Sequence, residues 1–469
     1  MECDVAVLGG GPGGYPAAIR AAQLGAKVVC IEKEPELGGT CLRIGCIPTK
    51  SWVETAYLLR EAEETFAKLG VQVGSPKLDF AAANEWKAQV VKQLTGGVAT
   101  LFKANGVEWV RGAGRFRDAN TIAVEGADDV TFRHAVIATG SAPIMPPIQG
   151  LESGLCVDST GLLAQTEVPG RLVILGGGVI GCEFASIFQR FGSQVTVIEM
   201  LPRLLPMEDE AASAELAKQF RRRGIHLQLG QQCTRVEERD GALTAHYGEG
   251  QTVDADLMLV SVGRAPSVDG IGLEEIGVEF DRRTGIAADE HRRTTVDHIY
   301  AAGDCAGYWQ LAHTAFREGE VAAENALGHE AVVDNRGVPR PIYTDPEIAS
   351  VGLTELEARE QYGEDAIAVG TFPWIANGRA LMQNETVGWV KSIHETHYGE
   401  LLGLVMVGPH VTDLIEAGVV ALDAESTVET VADGMTAHPT LAEAIKEAGL
   451  VALGRPIHLP PRRRTPARA

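Results

Sequence analysis

A glycine-rich unit that occurs twice is the feature of this sequence that most constrains its fold. Each copy is an apolar run followed by G-x-G-x-x-G, with the glycines at Gly9, Gly11 and Gly14 in the first copy and at Gly176, Gly178 and Gly181 in the second. A helical stretch and another apolar run follow, and these runs end in Glu32 and Glu199. The copies are offset by 167 residues, the difference between Gly9 and Gly176. A duplication of this length predicts two similar domains.

The glycine spacing has a physical basis in strand–turn–helix units that bind dinucleotides. The first glycine makes a tight turn, the second lets the backbone approach a pyrophosphate, and the third lets the helix pack closely on the strand. The helix N-terminus then faces the phosphates, and the acid that ends the second strand accepts hydrogen bonds from a ribose. Two such units in register predict an α/β protein with two Rossmann-like dinucleotide-binding domains.

A second pair of similar segments indicates where these domains close. Residues 135–138 and 257–260 are apolar runs that lead to Gly140 and to Gly263, each followed by a proline. Asp304 ends a further apolar run. We expect Gly140 and Asp304 at the first cofactor and Gly263 at the second. The predicted domains are a first cofactor domain over 1–146 that resumes over 269–340, a second over 147–268, a C-terminal α+β domain over 341–458, and a disordered basic tail over 459–469.

Cys41 and Cys46 stand apart from six scattered cysteines that we expect to be buried. Their separation lets two thiols meet where a helix begins in a distorted turn, and nearby glycines allow the unusual backbone. Two unrelated buried cysteines remain the alternative. No further ligands are close enough for zinc, so no metal is predicted.

The pair lies inside the first dinucleotide unit. Because nicotinamide transfers hydride whereas thiols react through sulfur, we predict FAD at the first unit as mediator and a nicotinamide dinucleotide at the second. Glu199 favours NAD over NADP, since a carboxylate repels a 2′-phosphate. Arg203 lies nearby in the sequence and weakens that preference.

The bulk composition excludes several classes of protein. The 469 residues are 45% hydrophobic and 22% charged, as in soluble globular proteins of several domains. A formal charge of −22 argues against nucleic acid as a partner. The acidic surface suits a basic protein partner, although such a surface more often only aids solubility. No apolar run is long enough for a membrane span, and the first strand begins too early for a signal peptide. We therefore expect a cytoplasmic protein.

The motif from Gly38 to Lys50, taken with both dinucleotide units, resembles the pyridine nucleotide-disulfide oxidoreductases over nearly the whole chain. The resemblance is strongest to members that oxidise dihydrolipoamide with NAD. It implies that Cys46 contacts the flavin and that Cys41 exchanges with substrate. It also implies that Lys50 lies beside the flavin with Glu183 as its ion-pair partner. The helix start at Ala312 would lie under the flavin ring, where its dipole favours negative charge.

His438 and Glu443 form the third candidate site. A histidine has the pKa that thiol chemistry needs at neutral pH, and a carboxylate on its other nitrogen would fix its tautomer. Thr440-x-x-Glu443 is also a capping box, so Glu443 has a purely structural interpretation. The residues alone leave both interpretations open. The family resemblance implies a His438–Glu443 dyad that acts on the disulfide of the other subunit of a homodimer.

The resemblance also implies partners, and it leaves alternatives. Expected partners are the lipoyl domains and the acyltransferase core of a 2-oxo acid dehydrogenase or glycine cleavage complex. Thr436 stands where such members usually have histidine, Ala442 where serine is common, and Pro16 lies early in the first helix. The alternatives are another flavin disulfide reductase, such as a glutathione-type enzyme, or a subunit retained mainly for docking in such a complex.

Overall fold

The fold is taken from a computed structural model, which describes residues 1–307 and 309–460. Of the predicted basic tail, residues 461–469 lie outside the described part of the chain. All the predicted site residues fall within the described part of the chain.

The strands, in chain order, are β1 (Glu2–Leu8), β2 (Val28–Glu32), β3 (Glu108–Arg111), β4 (Gly114–Asp118), β5 (Thr121–Val124), β6 (Val130–Ile137), β7 (Ser141–Pro143), β8 (Cys156–Val157), β9 (Arg171–Leu175), β10 (Gln194–Glu199), β11 (His226–Leu229), β12 (Cys233–Arg239), β13 (Ala242–Tyr247), β14 (Gln251–Ala255), β15 (Leu257–Val260), β16 (Arg264–Pro266), β17 (Phe280–Asp281), β18 (Gly285–Ile286), β19 (Ile299–Ala301), β20 (Arg340–Ile342), β21 (Glu347–Gly352), β22 (Ile367–Pro373), β23 (Trp389–Glu395) and β24 (Leu401–Gly408).

The α-helices are α1 (Gly14–Gln23), α2 (Gly39–Ile44), α3 (Cys46–Arg60), α4 (Phe80–Asn105), α5 (Ser159–Leu163), α6 (Val179–Arg190), α7 (Glu210–Arg222), α8 (Leu273–Ile276), α9 (Ala312–Ala326), α10 (Glu355–Tyr362), α11 (Gly378–Met382), α12 (Val411–Leu414), α13 (Glu416–Asp423), α14 (Val428–Asp433) and α15 (Glu443–Ala452). A π-helical turn, Glu61–Thr65, extends α3.

The first sheet has seven strands, and its parallel part has the order β3-β2-β1-β6-β19. Strands β5 and β4 add an antiparallel edge beyond β6. Strand β19 pairs in parallel with β6, with Ile299 opposite Ala135. Both of these residues are fully buried, so the apolar strand is covered only when it completes this sheet. The chain therefore returns to the first sheet after it has formed the second.

The second sheet has five parallel strands in the order β11-β10-β9-β15-β8. A separate antiparallel sheet, β12-β13-β14, lies between β11 and β15 in sequence. The two Gly-then-Pro segments noted in the sequence pair with each other, because β7 runs antiparallel to β16. They form a two-stranded connection between the two dinucleotide units.

The C-terminal sheet is antiparallel, with the order β20-β21-β24-β23-β22. Helix α15 packs on β22 and β23. Two further helices of this domain, α12 and α13, meet at Ile415. The predicted fold class, an α/β protein with two Rossmann-like domains and a C-terminal α+β domain, is confirmed.

Helix α3 is held in place by an aromatic cluster around Trp52, which is fully buried. Its ring lies 5.3 Å from that of Phe80 at the start of α4 and 5.7 Å from that of Phe188 on α6. Burial of each ring contributes roughly 2 kcal/mol, and edge-to-face contacts add to this. This packing fixes α3 against α6 and brings the cysteine motif to the second dinucleotide unit.

Candidate active site

The first glycine turn joins β1 to α1 and leaves no room for side chains at two positions. A Cβ on Gly9, whose φ is +108°, would lie 2.3 Å from the carbonyl oxygen of Ala138. A Cβ on Gly14 would lie 1.7 Å from the carbonyl oxygen of Gly9. At Gly11 the nearest atom would be the Cα of Gly39, at 3.5 Å. The turn is tight where strand and helix meet and more open at the middle glycine, as a pyrophosphate cradle requires.

The second glycine turn repeats this geometry between β9 and α6. A Cβ on Gly176 would lie 2.4 Å from the carbonyl oxygen of Ser261, and one on Gly181 would lie 2.0 Å from that of Gly176. A Cβ on Gly178 would meet no atom within 4 Å. Open space therefore faces the backbone at the position where a dinucleotide phosphate would approach. The two turns fit FAD and NAD as paired dinucleotide cofactors.

The acids that end the second strands are buried and face these turns. Glu32 accepts hydrogen bonds from the N–H groups of Gly10 (2.7 Å) and Glu34 (2.9 Å). Glu199 accepts equivalent bonds from Gly177 (2.6 Å) and Leu201 (2.7 Å). Each carboxylate is thus fixed beside its glycine turn, with lone pairs left for a ribose diol.

The guanidinium of Arg203 is hydrogen-bonded within its own loop. Its guanidinium donates to the carbonyl oxygens of Pro206 and Glu208, both at 2.7 Å. At least two of the donors of Arg203 are thus engaged by the backbone, which agrees with the preference for NAD that Glu199 indicates.

Asp304 and Gly140 lie where the first unit closes. The carboxylate of Asp304 accepts a hydrogen bond from the hydroxyl of Ser141, and Nε of Arg264 lies 4.0 Å from it. Burial raises the pKa of Asp304, and the Ser141 bond and the Arg264 charge oppose that effect. Gly140 has a φ of +75°, and a Cβ there would meet no atom within 4 Å. Gly263 has a φ of +123°, and a Cβ there would meet only the side chain of Ile144, at 3.7 Å.

The cysteine pair spans the junction of two helices. Cys41 lies in α2, and Cys46 is the first residue of the fifteen-residue helix α3. Between them Gly45 has φ −141° and ψ −107°, outside the helical region. A Cβ on Gly45 would lie 2.8 Å from the carbonyl oxygen of Thr40. Both cysteines are thiols in this structure. The sharp turn at glycine brings them together at the positive end of α3.

The two thiols differ in acidity. A hydrogen bond from Cys41 lowers the pKa of Cys46 to about 7, burial opposes this, and the charge of Lys50 adds to the lowering. The pKa of Cys41 is raised, first by that hydrogen bond and then by burial. Burial also raises the pKa of each of the other six cysteines, Cys3, Cys30, Cys156, Cys182, Cys233 and Cys305. Cys46 is therefore the cysteine with thiolate character near neutral pH.

Lys50 lies one turn further along α3 and joins the two dinucleotide units. Its Nζ contacts both carboxylate oxygens of Glu183 on α6, at 2.7 and 2.9 Å. Glu183 also accepts a bond from the N–H of Tyr343 (3.0 Å), whose ring lies 4.7 Å from Nζ. Burial lowers the pKa of Lys50, but the Glu183 carboxylate outweighs burial and the net direction is upward. A fixed cation therefore lies near Cys46.

Helix α9 begins at Ala312, directly after the extended residue Leu311. His313 contacts the carbonyl oxygen of Pro339 through Nε2 at 2.8 Å, and burial lowers its pKa. Thr314 donates to the carbonyl oxygen of Leu311 at 2.7 Å. The helix start predicted to lie under the flavin is thus an ordered N-terminus tied to the beginning of the C-terminal sheet.

Glu443 contacts His438 and the helix start at the same time. Its Oε1 lies 2.8 Å from Nδ1 of His438, and its Oε2 accepts from the N–H of Thr440 at 2.8 Å. The Thr440 hydroxyl donates to the carbonyl oxygen of Ala437, so the reciprocal half of a capping box is absent at this helix start. Burial raises the pKa of Glu443, but these two bonds outweigh it and the pKa is lowered. The two interpretations left open by the sequence are thus compatible.

The structure brings together the cysteine pair, Lys50 and Glu183, but not the histidine. The His438 side chain is 78% exposed. Within the described part of the chain, its ring has a polar contact with Glu443 and with neither thiol of the pair. In a single chain, His438 and the cysteine pair therefore lie on separate surfaces.

Some site residues carried no signal in the sequence. Tyr343 contacts the Lys50–Glu183 pair from the start of the C-terminal domain. Tyr15 lies close enough to Cys41 for that thiol to affect the pKa of Tyr15. Burial, with a smaller contribution from Cys41, raises the pKa of Tyr15 to about 12. Ser141 and Arg264 come together only because β7 pairs with β16. These contacts depend on tertiary pairing, which local patterns do not encode.

Residues 1–307 and 309–460 contain no group of three or more His, Cys, Asp or Glu side chains that could hold a metal ion. Among the same residues, no helix is long and apolar enough to cross a membrane. The cytoplasmic location stays a prediction.

Comparison with known proteins gives consistent matches. The family model described as pyridine nucleotide-disulphide oxidoreductase matches residues 3–319, and that of the family's dimerisation domain matches residues 338–449. Dihydrolipoyl dehydrogenase of Geobacillus stearothermophilus is 42% identical over 98% of both chains. Dihydrolipoyl dehydrogenase of Bacillus subtilis strain 168 is 41% identical over 97% of this chain and 99% of its own.

Solved structures match over similar lengths. The structure of LpdA from Mycobacterium tuberculosis has a TM-score of 0.89 at 27% identity, covering 95% of this chain and 99% of its own. A copper(II) complex of RclA from Escherichia coli, an HOCl-induced flavoprotein disulfide reductase, has a TM-score of 0.87 at 29% identity and covers 96% of this chain.

Proposed function

The chain belongs to the pyridine nucleotide-disulphide oxidoreductases, and from that membership we propose that it is a dihydrolipoyl dehydrogenase. It oxidises dihydrolipoamide and reduces NAD⁺. The observation that carries this proposal is the thiol pair at the start of α3, with Cys46 held acidic between Cys41 and Lys50. The relatives named above, more than 40% identical over nearly the whole chain, support the choice of substrate.

Two sets of residues would hold the cofactors. The turn at Gly9, Gly11 and Gly14, with Glu32, Gly140, Asp304, Lys50 and the α9 start at Ala312, would hold FAD. The turn at Gly176, Gly178 and Gly181, with Glu199 and Gly263, would hold NAD. Bound FAD supplies the carrier that passes two electrons from the thiol pair to NAD⁺.

The sulfur chemistry follows from the acidity of the two cysteines. In the oxidised enzyme Cys41 and Cys46 share a disulfide. A thiolate of dihydrolipoamide attacks Sγ of Cys41, the disulfide breaks, and Cys46 leaves as the thiolate. Cys46 is the favoured leaving group because a better-stabilised thiolate leaves faster. The second lipoyl thiol, after losing its proton, attacks the lipoyl sulfur bound to Cys41. This closes the lipoyl ring and releases Cys41, so the substrate is oxidised by two electrons and the enzyme pair is reduced.

His438 would accept the proton of the attacking thiol at Nε2. Glu443, on Nδ1, would hold the neutral ring in the tautomer that leaves Nε2 free, and would stabilise the imidazolium that forms. Since His438 is exposed and separate from the thiol pair of its own chain, we propose that it serves the pair of a second subunit in a homodimer. The presence of a dimerisation domain supports this arrangement.

Lipoyl domains and the acyltransferase core of a 2-oxo acid dehydrogenase or glycine cleavage complex would supply the substrate. A chain of formal charge −22 suits a basic docking partner.

The proposal is tested by comparing two reactions of the FAD-loaded enzyme. One is NADH formation from dihydrolipoamide and NAD⁺, and the other is NADPH oxidation by glutathione disulfide. We expect strong activity in the first reaction and background in the second. Glutathione disulfide reduction with NADPH as the faster reaction would overturn the substrate assignment and the role of Glu199.

A further inference from the structure

Residues 200–209, which we call the ribose loop, connect Glu199 to helix α7. Near its start, the N–H of Leu201 donates to Glu199. In its middle, the N–H of Leu205 donates to the carbonyl oxygen of Gly177 at 2.9 Å, although Leu205 has a φ of +47°. A non-glycine residue in this conformation needs surrounding contacts to hold it. The loop is therefore held against the second glycine turn.

The far end of the ribose loop is also anchored to the C-terminal sheet. Glu208 is 4% exposed and accepts from Nε of Arg340 on β20 at 3.2 Å. It also accepts from the hydroxyl of Ser350 on β21. Arg340 makes a further bond to the carbonyl oxygen of Gly352, at 3.2 Å, which fixes its guanidinium. The Glu208 carboxylate therefore has its charge partner in another domain.

Asp209 makes the second anchor and is 3% exposed. Both of its carboxylate oxygens contact Nζ of Lys391 on β23, at 2.9 and 3.0 Å. Lys391 also contacts Glu355 at 2.9 Å, and its side chain is 8% exposed. Asp209 caps α7 as well, accepting from the N–H of Ala211 at 3.0 Å. One buried lysine thus fixes the end of the ribose loop and the start of the next helix.

We propose that Lys391 and Arg340 are positioning residues for the nicotinamide dinucleotide, acting through the ribose loop on Glu199. This inference rests on the proposed function, because it takes Glu199 to bind the NAD ribose. A buried carboxylate that loses its cation must move toward water or take up a proton. Either response at Glu208 or Asp209 releases the ribose loop, which ends ten residues or fewer from Glu199. The cysteine pair lies in another domain and keeps its geometry.

The test is Lys391→Met in the FAD-loaded enzyme, with Lys218→Met as matched control. Lys218 also pairs with a glutamate, Glu215, but it lies on the surface of α7 with its side chain 61% exposed. For Lys391→Met we expect KM for NAD⁺ to rise about ten-fold. We expect the same rise in the Kd of NADH, measured by anaerobic calorimetry on fully reduced enzyme, to which NADH can pass no electrons. The kcat value and KM for dihydrolipoamide are expected to stay within about two-fold. Lys391→Arg, which keeps the charge, should restore most of the NADH affinity.

Ser350→Ala keeps the inference testable if Lys391→Met does not fold. It removes one bond to Glu208 and should weaken NADH binding about two- to three-fold. Unchanged NADH affinity in a folded variant whose melting temperature has fallen would overturn the inference, since the ion pairs would then only join domains. An equal rise in KM for both substrates would overturn it too. NADH binding needs no dithiol, so an enzyme inactive on dihydrolipoamide but with these NADH shifts would refute the proposed function alone.

Discussion

At the scale of single residues, the acidity of one thiol distinguishes the cysteine motif from the rest of the chain. All eight cysteines are described, and burial acts to raise the pKa of each of them. Only at Cys46 do a neighbouring thiol and the Lys50 cation outweigh burial. Lys50 keeps its charge because Glu183 faces it from α6. The motif was readable from the sequence, and the family resemblance implied the pairing of Lys50 with Glu183, 133 residues away. The balance of burial and charge at Cys46 was not readable, because it depends on how the folded chain buries these groups.

The balance predicts a pH dependence for the reduced enzyme. Because the pKa of Cys46 is lowered to about 7, its thiolate forms as pH rises through 7, and alkylation by iodoacetamide should reach half its maximal rate there. Lys50→Met removes a cation that favours the thiolate, so we expect the midpoint to move up by roughly one pH unit. Peptide mass spectrometry of Cys46 measures both rates. A midpoint that stays near 7 in Lys50→Met would show that Lys50 does not act on the thiol.

At the scale of elements, the two glycine turns show why the dinucleotide units could be predicted. Each turn is encoded within six residues, and its acid follows at the end of the next strand, so the pattern is local. The pairing of β7 with β16, the sheet β12-β13-β14 and the long helix α4 had no comparable signal. Strand pairing between distant segments depends on which faces must be buried, and only the assembled sheets decide that.

Substitution of Gly178 can change NADH binding without changing stability. A Cβ there meets no protein atom within 4 Å, and its φ of −76° suits any residue. We therefore expect Gly178→Ala to keep its melting temperature within about 2 °C while NADH affinity falls at least about ten-fold, because a methyl group would stand where the phosphate approaches. Thermal unfolding and calorimetry measure the two effects.

Gly181→Ala is the contrasting variant, since its Cβ would lie 2.0 Å from the carbonyl oxygen of Gly176. It should lose stability as well as NADH binding. Equal NADH affinity in wild type and Gly178→Ala would contradict the placement of the pyrophosphate at this turn.

At the scale of the whole molecule, the two proposed catalytic sites of one chain lie apart from each other. The dithiol lies where α2 meets α3, and the His438–Glu443 pair lies at the start of α15. The sequence resemblance predicted both parts and their meeting across a homodimer. It did not predict the buried contacts of Glu208 and Asp209 with the C-terminal sheet. Charges that pair over more than 100 residues leave no periodicity or spacing to read.

The division predicts complementation between two inactive variants. In a heterodimer of Cys46→Ser with His438→Gln, one site would combine the intact cysteines of one chain with the intact histidine of the other. We expect the heterodimer, purified with two different tags, to have about half the wild-type activity on dihydrolipoamide. Each parent homodimer should be inactive. A heterodimer at background would contradict action between subunits.

His458→Gln is the matched control for that experiment. His458 contacts Glu447 of α15 at 2.7 Å, as His438 contacts Glu443, but we propose no catalytic role for this second pair. Its activity should equal that of the wild type.

Counting thiols shows directly whether electrons from dihydrolipoamide enter through the Cys41–Cys46 disulfide. The oxidised FAD-loaded enzyme is treated without oxygen with or without one equivalent of dihydrolipoamide per subunit, quenched in denaturant, alkylated and analysed by peptide mass spectrometry. Alkylation should appear at Cys41 and Cys46 only after dihydrolipoamide treatment, while the other six cysteines are alkylated in both samples. Equal alkylation of Cys41 and Cys46 in the two samples would contradict the account.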